Sequence, residues 1–303
     1  MNIKDEFKNF LSERVKENTS LSQFTSFKTG GIAKIIVFPE NKEEIKKIFY
    51  LSEKYQKDIL ILGKGTNILI SDYGFDGVII STLLLKKITK KENFIISESG
   101  VLISSILNFC LKNNSGGIEF LSGIPGTIGG ALITNAGLKK EWIGEKVEWV
   151  EVYDKKKKDF EILKKEEIKF SYRDSNLKNM FIINACLRTE KKRKEEIKNK
   201  IQNYMKERRE KQPLRENSAG SVFKNPENFY AGELIEKCGL KGYCIGDAYI
   251  SERHANFIIN KGKAKSSDIY NLIKIIQNKV KEKFGVELEL EIKIIGKFWY
   301  GTF

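Results

Sequence analysis

Apolar positions in the first stretch of the chain recur every three to four residues. Ile3, Phe7, Phe10, Leu11 and Val15 share one face, which predicts a helix over 3–17. A second helix is predicted from Asn41, a residue suited to an N-cap with Glu44 three positions on, through Ile45, Ile48, Phe49 and Tyr55. "DILIL", "ILIS" and "GVIIST" then read as strands around the turn "GKGTN", and "FIISES" leads into a helix over 101–114. Strands are expected at 147–153, 159–163 and 181–188, followed by a charged helix over 190–211 that looks like a domain connector. The last hundred residues change rhythm. They hold a loop, "SAGSVFKNP", a helix around "AGELIEKCG", strands at "YCIGDAYIS" and "ANFIIN", and a helix from Ser267 with Ile269, Leu272, Ile273, Ile276, Val280 and Phe284 on one face. The tail "VELELEIKIIG" (286–296) sets Val286, Leu288, Leu290, Ile292 and Ile294 against Glu287, Glu289, Glu291 and Lys293, the pattern of a half-buried strand. Helices and strands mixed without regular β-α-β alternation give the α+β class.

A length of 303 residues suggests two or three packed units, and 41% hydrophobic residues are enough to fill their cores. No apolar run approaches the roughly 20 residues that span a bilayer. The charged start of the chain lacks the apolar centre of a signal peptide, so a cytoplasmic protein without membrane insertion is expected. Lys and Arg number 54 against 40 Asp and Glu, a balance compatible with nucleic acid, a membrane surface or anionic small ligands. The lysines, however, are interleaved with glutamates throughout. The densest run, "YDKKKKDF" (153–160), sits between two predicted strands and reads as a solvated hairpin turn, so no nucleic-acid partner is expected. Four cysteines without a C-x-x-C and a single histidine leave no metal site in view; Cys110 and Cys186 read as buried core residues.

Two glycine-rich loops are the first candidate chemistry. "LGKGTN" (62–67) follows an apolar strand, and its backbone amides suit a pyrophosphate. "GIPGTIGGALITNAG" (123–137) carries five glycines, which let a flat or anionic ligand approach the backbone. Together they favour a large cofactor carrying phosphates, although neither matches the Rossmann or Walker fingerprint. Ser221 is either a turn residue or a proton handler; as a hydrolase nucleophile it would need a base, and the chain has one histidine and no G-x-S-x-G. Arg173 in "SYRDS" is either an ion-pair partner of Asp174 or another nearby acid, or a fork for a substrate carboxylate. Glu291 on pattern alone is one of three exposed glutamates.

"TSFKTGG" (25–31), "ILGKGTNIL", "SGIPGTIGGALITNAG", "SYRDS" (171–175), "AGSVFKNP" and "ELEIKIIG" stand in the order found in the UDP-N-acetylenolpyruvoylglucosamine reductase family, and from Thr25 to Gly296 the chain resembles its members. The resemblance implies a two-lobed FAD-binding domain of the vanillyl-alcohol-oxidase (PCMH) type over 25–190, after an N-terminal helix within 1–24. An α+β substrate-binding domain would follow over 191–303. It implies FAD, NADPH as reductant, a nucleotide-sugar substrate and a role in peptidoglycan precursor synthesis; FAD is expected to be non-covalent, since the only histidine lies outside the flavin domain, and a monomer is expected. Flavin-binding positions are then expected at Gly63, Lys64, Gly65, Thr66 and Asn67, and at Ile124, Pro125, Gly126, Ile128, Gly129, Gly130, Asn135 and Gly137. By the same resemblance Arg173 stabilises the enolic form of the substrate carboxylate, Glu291 assists it, and Ser221 gives a proton to carbon. An enolate carbon is basic enough to take a proton from a hydroxyl. Tyr172, Arg208, Lys211, Asn225 and His254 are expected to contact substrate, with helix-surface charge as the alternative for Arg208 and Lys211. An FAD oxidase of the same fold and a basic nucleic-acid-binding protein are the competing readings. The chain departs from the family pattern after Gly137, where "LKKEWIGE" replaces the usual Tyr-Gly and Trp142 is the candidate substitute. Only 47 residues separate Arg173 from Ser221, which resembles the subtype without an extra loop over the substrate.

Overall fold

A computed structural model describes residues 2–138 and 141–298. The chain divides into two compact units, one made of Met1–Glu17, Ile35–Lys64 and Gly77–Arg208, the other of Asn18–Lys34, Gly65–Asp76 and Arg209–Phe303. Each unit is therefore assembled from segments distant in sequence.

The first unit holds two cores. In one, helices Ile3–Leu11 and Lys42–Lys54 bury Ile3, Phe7, Leu11, Ile45 and Ile48 against Ile35, Val37, Val78 and Ile80. Strand Ile59–Leu62 pairs parallel with residues 78–81. The N-terminal helix is shorter than its periodicity predicts: Ser12 turns to φ +52°, and Val15 opens a strand instead of continuing the apolar face. The second helix begins as expected, with Asn41 Oδ1 accepting from the Glu44 amide at 2.9 Å. The Glu44 carboxylate turns to Arg14, 2.6 Å away on both oxygens, rather than closing a capping box.

The other core lies on a five-stranded antiparallel sheet, in the order Asp159–Lys164, Val147–Asp154, Phe181–Arg188, Phe94–Glu98 and Ile88–Lys91. Helix Ile103–Lys112 contributes Ile106, Leu107 and Cys110 to it. Cys110 and Cys186 are buried, as expected, and burial pushes the thiols up to about 12 and about 11. The lysine run forms the turn between Val147–Asp154 and Asp159–Lys164, where Lys157 pairs with Glu161. The charged segment starts as a short strand, Glu190–Lys191, before helix Lys194–Lys211.

In the second unit the nineteen-residue helix Ser266–Phe284 buries Ile269, Leu272, Ile273, Ile276 and Val280 under a small antiparallel sheet of Cys244–Ile245, Ala248–Ile250 and Ile258–Asn260. Deleting one of these side chains, as in Ile273→Ala, is expected to cost about 2–5 kcal/mol. The alternating tail is not one long strand. Only Lys293–Ile295 forms a strand, parallel to Ile68–Ile70, and a single bridge joins Leu290 to Phe223. Alternating burial persists without a continuous ladder, because Leu288 and Ile292 are buried while Glu287 and Glu289 stay exposed.

Candidate active site

The two glycine-rich loops meet. A Cβ on Gly63 would stand 2.7 Å from Thr127 Oγ1, so only glycine allows this approach. Gly65 has φ +66°, and a Cβ there would stand 1.9 Å from the Phe24 carbonyl oxygen. Gly126 takes φ +136° just before Thr127, which caps the short helix Ile128–Ile133 by accepting from the Gly130 amide at 3.3 Å. This helix is absent from the sequence reading because two of its first three residues are glycines, the poorest helix formers after proline.

The positions expected to hold flavin play different parts. The Ile128 and Gly129 amides donate to the Val101 and Ser99 carbonyls at 2.9 and 2.8 Å, so they tie the loop to the protein. Ile128 is fully buried, and Gly129 packs where a Cβ would meet Ser99 Cβ at 2.9 Å. Gly137 is a close-approach glycine, since a Cβ would fall 2.2 Å from the Glu141 carbonyl oxygen. Asn135 is buried at φ +43°; its Oδ1 accepts from Gly144 N and its Nδ2 donates to the Ser171 carbonyl, both at 3.0 Å. Gly130 is exposed, with only Thr127 Oγ1 near its missing Cβ, at 3.6 Å. Beside it Gly126 and Ile124 are half-buried and Pro125 is exposed, while Lys64 is exposed and Thr66 half-buried on the other loop. Bare backbone at Gly126 and Gly130, next to an amide-rich loop carrying a lysine, suits a group that is flat at one end and anionic at the other. These residues fit a flavin dinucleotide. Among the described residues no cluster of His, Cys, Asp and Glu suits a metal ion.

Arg173 sits at the tip of a hairpin in the first unit, where Phe170–Ser171 pairs with Asp174–Ser175. Its φ is +54°, a left-handed conformation that side chains beyond glycine and asparagine adopt at a cost. The guanidinium lies 5.7 Å from the Tyr172 ring and 6.0 Å from the Trp142 ring, and Nη1 donates to the Gly137 carbonyl at 3.4 Å. Tyr172 is 43% exposed and meets Trp142 edge-on at 6.1 Å. Asp174 pairs with Lys178 at 2.6 Å. In the same unit Arg208 Nη1 donates to the Gly123 carbonyl at 3.2 Å, joining the connecting helix to the second glycine-rich loop. Lys211 is exposed at the end of that helix.

Ser221 and Glu291 belong to the second unit, on segments that share hydrogen bonds. Glu291 N donates to the Val222 carbonyl at 2.8 Å, and Lys224 N donates to the Glu289 carbonyl at 2.9 Å. On its other side the serine segment meets Asn256. Val222 N donates to the Asn256 carbonyl at 2.8 Å, Phe223 N to Asn256 Oδ1 at 2.9 Å, and Asn256 Nδ2 to the Phe223 carbonyl at 2.8 Å. Sequence reasoning missed Asn256, because a buried amide that imitates a neighbouring strand leaves no motif. Asn67, from the first glycine-rich loop, donates to the Glu291 carbonyl at 3.0 Å and accepts from Lys293 N at 3.0 Å. The three glutamates thus separate: Glu287 pairs with Lys281, Glu289 with Lys224, and Glu291 is half-buried. Asn225 accepts from Ala231 N at 3.0 Å, at the start of helix Ala231–Lys237. His254 Nδ1 accepts from Asn256 N at 3.3 Å, and burial holds the imidazole below its ordinary pKa.

Comparison with known proteins bears on both units. The family model described as "FAD binding domain" matches residues 33–156, and the one described as "UDP-N-acetylenolpyruvoylglucosamine reductase, C-terminal domain" matches 212–295. The UDP-N-acetylenolpyruvoylglucosamine reductase of Caldanaerobacter subterraneus subsp. tengcongensis is 44% identical over 97% of this chain and 98% of its own. That of Clostridium novyi is 42% identical over 94% and 93%. The crystal structure of UDP-N-acetylenolpyruvylglucosamine reductase from Thermus caldophilus superposes with a TM-score of 0.81 at 31% identity, covering 93% of this chain and 99% of that one.

Proposed function

The chain belongs to the UDP-N-acetylenolpyruvoylglucosamine reductase family, and we propose that Arg173, Ser221 and Glu291 carry its reaction. The protein is an α+β FAD-dependent oxidoreductase that uses NADPH to convert UDP-N-acetylglucosamine enolpyruvate into UDP-N-acetylmuramate in peptidoglycan synthesis. Flavin held by the loops at 62–67 and 123–137 would supply the hydride-transfer chemistry between NADPH and the methylene carbon of the enolpyruvyl double bond. The protein's part is to steady the negative charge that this leaves on C2 and the carboxylate, and to protonate C2.

Arg173 presents a guanidinium that is always charged and suited to a two-point grip on a carboxylate, so it binds the substrate end where charge accumulates. Ser221 gives its hydroxyl proton to C2. Glu291, half-buried and with its backbone fixed by Val222 and Asn67, holds a hydrogen bond to the same end of the substrate. The observation that carries this reading is the shared hydrogen bond between the Ser221 and Glu291 segments, which couples two expected catalytic residues seventy positions apart. Tyr172, Arg208, Lys211, Asn225 and His254 are proposed to contact the substrate, with Asn225 and His254 acting partly through the backbone they hold.

The glycine-rich loops at 62–67 and 123–137 hold FAD, with Lys64 and the exposed backbone at Gly130 turned to it. The single histidine lies outside residues 25–190, the proposed flavin-binding domain, so attachment is non-covalent and acid precipitation should release all yellow colour to the supernatant. Residues 191–303 form the proposed substrate domain. No helix among the described residues is long and apolar enough to cross a membrane, and a monomer in the cytoplasm is proposed. NADPH oxidation measured with and without the enolpyruvyl nucleotide tests the assignment. Turnover that needs the nucleotide supports it, and turnover indifferent to the nucleotide sinks it.

A further inference from the structure

We propose that Trp142 is a positioning residue for Arg173, holding the guanidinium in the direction that meets the substrate carboxylate. The proposal rests on the role given to Arg173 above. Arginine ends a long, rotatable side chain, and at φ +54° the turn fixes where that chain leaves the backbone but not where its fork ends. Two ring faces help to set that direction. Trp142 lies 6.0 Å from the guanidinium carbon, Tyr172 lies 5.7 Å from it, and the ring planes stand 81° apart, so the cation is bounded from two directions.

The indole is itself placed by several features of the same unit. Trp142 is in register with Gly137 across the short strand pair Gly137–Leu138 and Glu141–Trp142. A Cβ on Gly137 would stand 2.6 Å from Trp142 Cε3, so the glycine makes room for the ring, and its carbonyl takes the Arg173 contact. The neighbouring Glu141 accepts from the Tyr204 hydroxyl on the connecting helix. Burial, reinforced by that carboxylate, pushes the phenol up to about 12, so it keeps its proton at physiological pH. The strand that carries Trp142 is thus anchored on both sides. The strand pair thus brings Trp142, five residues after Gly137, back against the arginine.

The test is a double-mutant cycle on the flavin-loaded enzyme, measuring kcat and KM for the enolpyruvyl nucleotide at saturating NADPH. Trp142→Leu keeps an apolar side chain without a ring face and should lower kcat/KM about tenfold. Trp142→Phe restores a ring and should stay within about threefold of the original. In an Arg173→Ala background, Trp142→Leu should change nothing further, because its effect passes through the arginine. Should leucine fail to give flavin-loaded protein, Trp142→Met takes its place. Wild-type kinetics in Trp142→Leu, or losses that multiply in the double variant, would overturn the proposal while leaving Arg173 in its role. Wild-type kinetics in Arg173→Ala would instead remove the role of Arg173 itself.

Discussion

The turn that carries Arg173 and the segment that carries Ser221 are held by opposite means. Around Arg173 the restraint includes two aromatic faces and a long contact to a carbonyl, on a backbone at φ +54°. Around Ser221 it comes from backbone hydrogen bonds of 2.8–2.9 Å at Val222, Phe223 and Lys224, with Asn256 on one side and the 289–291 segment on the other. The contrast follows from side-chain length. A guanidinium acts at the end of a long chain, so its direction must be set by what surrounds it. A serine hydroxyl sits one bond from Cβ, so it is placed when its backbone is placed.

Substitutions should therefore fail differently in the two regions. The largest effect is expected at Ser221, where alanine removes the proposed proton donor and leaves the surrounding backbone hydrogen bonds in place. Steady-state turnover should fall by roughly a hundredfold to ten-thousandfold, the usual range for a lost general acid, with the flavin spectrum intact. Ser221→Cys should recover part of it, since a thiol also carries a transferable proton. Turnover close to wild type in the alanine variant would make Ser221 a turn residue. Arg173→Lys keeps the charge and loses the planar fork, and about a hundredfold loss of kcat/KM is expected. Kinetics unchanged by lysine would deny the carboxylate grip.

Asn256→Leu should act mainly on stability. Leucine nearly matches asparagine in shape and leaves the Phe223 amide and carbonyl without partners in a buried site, which should cost about 2–5 kcal/mol and lower the melting temperature. A melting temperature equal to wild type would mean that the Ser221 segment does not depend on this amide. His254 should give the smallest effect. Burial lowers its folded pKa below 6.5, so between that folded value and 6.5 the unfolded chain takes up a proton that the folded chain refuses. This contribution is complete above about pH 6.5 and fades as the pH falls below it. His254→Gln should narrow the gap in melting temperature between pH 7.5 and pH 5.5; an unchanged gap would remove His254 as a source of acid sensitivity.

Much of the fold was legible where periodicity and caps coincide. Helix Ser266–Phe284 was plain from its apolar stripe, and helix Lys42–Lys54 from Asn41. The sequence misled where a pattern has two physical meanings. The alternation over 286–296 reports alternating burial, which a single bridge to Phe223 and a three-residue strand satisfy without a ladder. The N-terminal helix was overextended because Val15 fits the helical face equally well as a strand residue. For the site, glycines marked both loops, yet Gly63, Gly129 and Gly137 are explained by close packing against Thr127, Ser99 and Glu141. The special position of Glu291 among three glutamates and the whole of Asn256 lay outside any local pattern, because both depend on partners more than thirty residues away.

The proposed role of Ser221 confines it to protonation of the substrate and to nothing earlier. Rapid-mixing absorbance at the flavin band, applied to Ser221→Ala, separates reduction by NADPH from reoxidation by the enolpyruvyl nucleotide. Reduction should proceed at close to the normal rate, and reoxidation should slow by at least about a hundredfold. Equal slowing of both stages would contradict the claim and leave Ser221 a structural residue of its turn.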